Sequence, residues 1–319
     1  MPNRLAIVCG ILPFAICLSG VATANDAGRR PSDPPERVRW MNDYAKARAQ
    51  AVTNKQMLLV YFRDPQDNPA CQVFEGQTLA DPAVRNLVRQ YVRVQCPLDA
   101  TITVGGHPIE LLRHGSFQAM NGRAGLAVVD FRDAELACYE QTVGCLPFQP
   151  EAYYAAPYHE PQSVGTFLAL PPGTLTQRMM IYAVRMHPER PASAEGVPRN
   201  ELFRASRRHS EHQADIRRQG HHNWEARFHE IWQRVGGRHP VEVCAESWPN
   251  SGLLNACLDC VHSWRHSSGH WAAVAARQPG FGYDIARGSN GIWYATGIFG
   301  GKAEDVAVST GGGAAARGG

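Results

Sequence analysis

The sequence predicts an α/β protein built in two successive parts, and three observations carry that expectation. A helical apolar stripe near Trp40 is followed by a continuous apolar run of strand length, Met57 to Phe62. Six of the seven tryptophans and nine of the thirteen histidines crowd between His209 and Trp293, which marks a second unit. The 319 residues, 44% hydrophobic and 19% charged, suffice for two ordinary domains. The 32 Lys+Arg and 29 Asp+Glu are spread without a basic block, which argues against a nucleic-acid partner.

Residues 1–24 carry Arg4, an apolar run from Leu5 to Leu18 and Ala22-Thr23-Ala24, the three sections of a secretory signal. The run is shorter than a bilayer requires, about 20 residues, and Pro13 interrupts it. The expectation is export to the periplasm, the cell surface or the medium, with no stable transmembrane anchor. Arginine favoured over lysine in an Ala- and Gly-rich chain points to a bacterial, high-GC source. Cleavage after Ala24 removes Cys9 and Cys17 and leaves seven cysteines, an odd number, in a compartment that permits disulfides.

Residues 36–148 form the first predicted domain. Trp40, Tyr44, Ala47 and Ala51 share a helical face, and Met57 to Phe62 reads as a buried strand. Asp81-Pro82 pairs a capping residue with a first-turn proline, opening a further helix before the alternating Tyr91 to Val94. Gly125 to Phe131 and Glu135 to Val143 read as two strands joined by Arg132-Asp133-Ala134. The order α, β, α, α, β, α, β, β resembles a thioredoxin-like domain. That resemblance implies a Cys-x-x-Cys where a helix N-terminus stabilises a thiolate. Here Asn68-Pro69-Ala70-Cys71 keeps only the second cysteine, and no proline stands near Arg123-Ala124-Gly125, where the family carries one before a strand. Both departures argue against dithiol exchange.

Residues 149–199 read as a Pro-rich connector, with an interdomain helix over Met179 to Val184 and a linker from Pro188 to Pro198. Residues 200–300 form the second predicted domain, and 301–319 a Gly- and Ala-rich disordered tail. Asn200 to Gln219 is amphipathic, with Asn200 as its expected cap and Gly220 as its stop, and Leu253 to Ser267 is a further helix. His221 with Trp224 and Arg227, Ala245-Glu246-Ser247, Trp264-x-x-Ser267-x-x-His270, and the closing runs Phe281-Gly282-Tyr283 and Gly291 to Gly300 follow one another. These motifs, in this order, resemble the CAP superfamily of cysteine-rich secretory, antigen-5 and pathogenesis-related-1 (SCP-like) proteins. The resemblance implies an α-β-α sandwich, a cleft where His221, Glu246 and His270 converge, and an extracellular ligand such as a lipid, a glycan or a wall component.

Two imidazoles and a carboxylate suit zinc or another divalent metal with positions left open. His222 and His266 are secondary candidates. Cys257-Leu258-Asp259-Cys260 lies within a predicted helix and has no second Cys-x-x-Cys to complete a zinc site. A structural bridge from Cys244 to Cys257 or Cys260 is the favoured alternative, with Cys138–Cys145 and Cys71–Cys96 as further possible pairs. Three functions follow in order of preference: an exported binding protein, a metal-dependent hydrolase using the His/Glu cleft, and a monothiol redox protein acting through Cys71.

Overall fold

The computed structural model describes residues 38–302 except 67, 150–153, 155 and 156. The expected signal and leader, and the expected tail from residue 303 on, lie outside the described residues; Gly301, expected in that tail, instead ends a strand of the second sheet. The chain is a mixed α/β protein with two four-stranded sheets among the described residues.

The first layer opens with α1 (Tyr44–Asn54), capped by the Asp43 carboxylate, which accepts from the Lys46 amide at 3.0 Å. The helix therefore starts later than its apolar stripe suggests, and Met41 bridges to Val94 beside the sheet instead. Strand β1 (Leu58–Arg63) is central, pairing in parallel with β2 (Val92–Pro97) and antiparallel with β5 (Gly125–Val129), which pairs with β6 (Thr142–Pro147). The sheet order is β2-β1-β5-β6. Between β1 and β2 lie α2 (Pro69–Gly76) and α3 (Pro82–Val88), both starting at proline after a side-chain cap, Asn68 and Asp81 respectively.

Two expectations fail here. The helix expected between β2 and β5 is replaced by a hairpin, β3 (Thr101–Val104) and β4 (His107–Glu110), and by two 3-10 turns. Gly105 and Gly106 both take positive φ at the hairpin tip, and β-branched Thr101 to Val104 favours strand. The last strand is Thr142–Pro147, later than expected, because residues 132–141 form a loop rather than a short turn. Asp130 closes that loop: its backbone bonds Glu140 and Gln141, and its carboxylate binds Arg132 at 2.7 Å.

The stretch 149–199 is no spacer. It contains α4 (Pro161–Leu168), α5 (Leu175–Met186), begun by a Thr174–Gln177 capping box, and β7 (Val197–Pro198), a strand of the second sheet. Met179 to Val184 on α5 have no exposed surface. This helix packs against β6 of the first sheet and against the second sheet together. A single apolar core consequently runs from Leu59 and Tyr61 through α5 to Trp264 and Phe281.

The second sheet has the order β7-β9-β10-β8, with β8 Arg238–Glu246, β9 Gly280–Arg287 and β10 Trp293–Gly301. Helix α6 (Asn200–Ile216) covers β9 and β10, α7 (Trp224–Val235) lies beside β8, and α8 (Leu253–Arg265) packs on β8 and α5. The cap of α6 is Arg199 rather than Asn200, and the helix ends at Arg217, left-handed at φ 53, before reaching Gly220.

All seven described cysteines are free thiols, which corrects the disulfide expectations. Cys244 and the pair Cys257/Cys260 belong to opposite faces of β8. Successive strand residues alternate faces, so Val243 and Ala245 join the core holding Cys257 and Cys260 while Cys244 turns toward His221. Cys138 bonds Asp130 rather than Cys145, and Cys71 and Cys96 belong to separate core clusters on the two faces of the first sheet.

Two outcomes follow. Ile181→Ala should lower stability by about 2–5 kcal/mol, with far-UV circular dichroism and tryptophan fluorescence reporting one coincident transition rather than loss of one half. Dithiothreitol should leave the thermal midpoint of the folded chain unchanged; a fall would reveal a bridge.

Candidate functional site

His221 and His270 do meet. His221 lies in the turn between α6 and α7, and His270 sits in the first turn of α9 (Ser268–Ala275). Their Nε2 atoms are 3.2 Å apart. Behind His221, its Nδ1 lies 3.0 Å from Oε1 of Glu242. A carboxylate only accepts, so Nδ1 carries the proton and Nε2 is the nitrogen that faces His270. Burial, followed by repulsion from His221, holds His270 below the usual imidazole value.

The carboxylate of this cluster is Glu242, not Glu246. Both lie on β8, but four residues separate them, about 13 Å along an extended strand. Glu242 stands opposite Ile298 and is buried; Glu246 stands opposite Tyr294 at the strand's exposed end, and among the described residues no hydrogen bond or ion pair joins it to either histidine. Motif spacing alone could not supply this register. One clue was present in the sequence, since Glu242 is the acidic residue flanked by valines in the strand.

Glu242 keeps its charge because Arg227 and His221 both donate to it. Arg227 clamps both carboxylate oxygens, Nη2 at 2.9 Å from Oε1 and Nη1 on Oε2, and its Nε donates to the His222 carbonyl at 3.0 Å. The guanidinium also lies over the Trp224 ring. Burial pushes the Glu242 carboxyl up, but the hydrogen bonds from Arg227 and His221 outweigh it and hold it below the usual range.

His209, from the buried face of α6, completes the cluster. Its Nε2 lies 2.9 Å from the Gly220 carbonyl, so it is the protonated nitrogen, and Arg227 Nη2 at 3.3 Å is a packing contact between two donors. Ligand atoms of His209, Glu242 and Cys244 lie within 4.8 Å of one another. That buried trio already contains a cation, the Arg227 guanidinium, and burial pushes the Cys244 thiol well up, keeping it protonated.

The secondary candidates separate from this cleft. The His222 ring groups with His209 and His212 along a cavity of about 260 Å³ that Arg227 also lines. His266 pairs with His262 at the end of α8. Cys71 is buried in the first turn of α2, where Asn68 accepts from the Ala70 and Cys71 amides at 3.0 and 3.4 Å. The position that a nucleophilic cysteine would occupy thus serves as a helix cap.

Burial, tempered by attraction to Glu242, pushes His209 down to about 4. A depressed histidine means that the unfolded chain binds more protons between the unfolded value near 6.5 and the folded value. Stability from His209 is therefore complete above pH 6.5 and lost as pH falls toward 4. His209→Gln, which preserves a donor to Gly220, should flatten the decline of thermal midpoint across that window; an unaltered slope would remove His209 from the account.

A thioredoxin-like family model matches residues 39–101, from the segment preceding α1 to the start of β3. No CAP family model matches the C-terminal half. No curated protein and no solved structure matches the chain.

Proposed function

We propose that the chain is an exported binding protein whose C-terminal α-β-α layer, similar to the CAP superfamily, holds a divalent cation, zinc foremost, between His221 and His270. The observation that carries this reading is the 3.2 Å separation of the two Nε2 atoms. A tetrahedral zinc with bonds of about 2.0–2.1 Å sets two imidazole nitrogens about 3.3 Å apart, so the pair fits the metal with little movement. Glu242 fits the role of the carboxylate that orients a metal-binding histidine through its other nitrogen, and Arg227 holds Glu242 in turn. The CAP likeness gains support from the order of the motifs and from a sheet covered by helices on both faces.

Such a cation would supply a Lewis-acid contact for an oxygen of the ligand. The chain's own groups do the positioning. His221 is 41% exposed at its side chain, which leaves an approach from solvent. Binding is favoured over hydrolysis because both oxygens of Glu242 are engaged by Arg227 and His221, so this carboxylate is not poised to take a proton from water. A lipid, a glycan or a wall component is the ligand class that the CAP likeness suggests. Redox work through Cys71 is weaker, given its burial and the capping role of Asn68.

The test is calorimetric titration of Zn²⁺ into the metal-free chain. His221→Ala or His270→Ala should abolish the tighter binding event, and Glu242→Gln should weaken it by roughly 10–100-fold. Binding indifferent to all three substitutions would overturn the proposal.

A further inference from the structure

We infer that His262 and His266 form a second divalent-cation site, on the exposed flank of α8, separate from the His221/His270 pair. Residues four apart on a helix lie one above the other on the same face, the arrangement by which paired histidines grip a metal through Nε2. Here both side chains are exposed and their ring centroids are 4.3 Å apart. A carbonyl of the helix itself sets the tautomer. His266 Nδ1 lies 2.9 Å from the His262 carbonyl oxygen, which only accepts, so Nδ1 carries the proton and Nε2 is the nitrogen left for a metal. A backbone carbonyl in this position is a common outer partner of a metal-binding imidazole.

The charges nearby suit a cation. Asp259 stands one turn before His262 on the same helical stripe. Its Oδ2 accepts from Ser251 Oγ at 3.0 Å and from the Trp248 amide at 3.4 Å, which fixes the orientation of this carboxylate one turn from His262. Arg265, the adjacent positive charge in sequence, is occupied by an ion pair with Glu189 and by the Trp271 ring, 5.5 Å from its Cζ. Two imidazoles select borderline metals such as zinc, nickel or copper(II) over magnesium and calcium, which prefer oxygen.

The experiment uses the full chain stripped with chelator and titrated with Zn²⁺ at pH 7.5, in the His221→Ala/His270→Ala background that removes the first pair. One saturable zinc per chain should remain, and it should vanish when His262→Ala/His266→Ala is added, with circular dichroism verifying the fold. His262→Lys, which keeps the helix and adds a positive charge, should cause the same loss. In the otherwise native chain, His262→Ala/His266→Ala should reduce the zinc bound by one equivalent. Absence of saturable binding in the His221→Ala/His270→Ala chain, or binding that survives loss of His262 and His266, overturns the inference. Failure at His221/His270 alone leaves the α8 site standing, so the two readings fail separately.

Discussion

A negative charge buried in β8 under two helices organises the C-terminal half. Glu242 has lost nearly all contact with water, and such a charge persists only where the surroundings replace hydration with fixed donors. Arg227 comes from α7 and His221 from the turn before it, while buried His209 of α6 packs alongside, so the one carboxylate ties α6, α7, β8 and their connecting turn together. The same contact makes the front of the site. By taking the proton side of His221, Glu242 decides which nitrogen faces His270. Fold and chemistry therefore share a single electrostatic constraint, and neither can be altered alone.

The other organising element is α5. Its apolar residues from Met179 to Val184 face two sheets at once, and Arg178, fully buried, donates to the Leu170 and Pro171 carbonyls at 3.0 Å each to fasten the turn that leads into it. The thioredoxin-like layer consequently does not hang from the rest by a tether. It is packed against the helix that also supports the second sheet, and loss of that helix would expose apolar surface on both sides.

Local chemistry made part of this architecture legible from the amino acids. Asp81-Pro82 is a cap and a first-turn proline, and the apolar run after Gln56 is a buried strand; both signals are contained within a few residues. The convergence of His221 and His270 was expected only from the resemblance to the CAP superfamily, which no local signal replaces. What escaped depends on register or on competition between turn and helix. Choosing between Glu242 and Glu246 needs the pairing of β8 with β10. Expecting Cys244 to bridge α8 ignored the alternation that points it the other way. The hairpin at Gly105-Gly106 was hidden because residues 98–124 carry no sustained period, and the thioredoxin-like order encouraged a helix there.

Asn68 illustrates how a single residue changes what a helix start is for. In a thiolate-based site the first turn exchanges partners as electrons move, whereas an amide oxygen holding two backbone N–H groups stays in one state. The unpaired thiols extend the point. Six of the seven described cysteines are buried and Cys138 alone is partly exposed. In an oxidising solvent they are shielded only while the chain stays folded. An excursion to the unfolded state would release all of them to one another, and non-native bridges would then trap the chain. The lifetime of such a protein would be governed by how rarely it opens rather than by how favourably it closes.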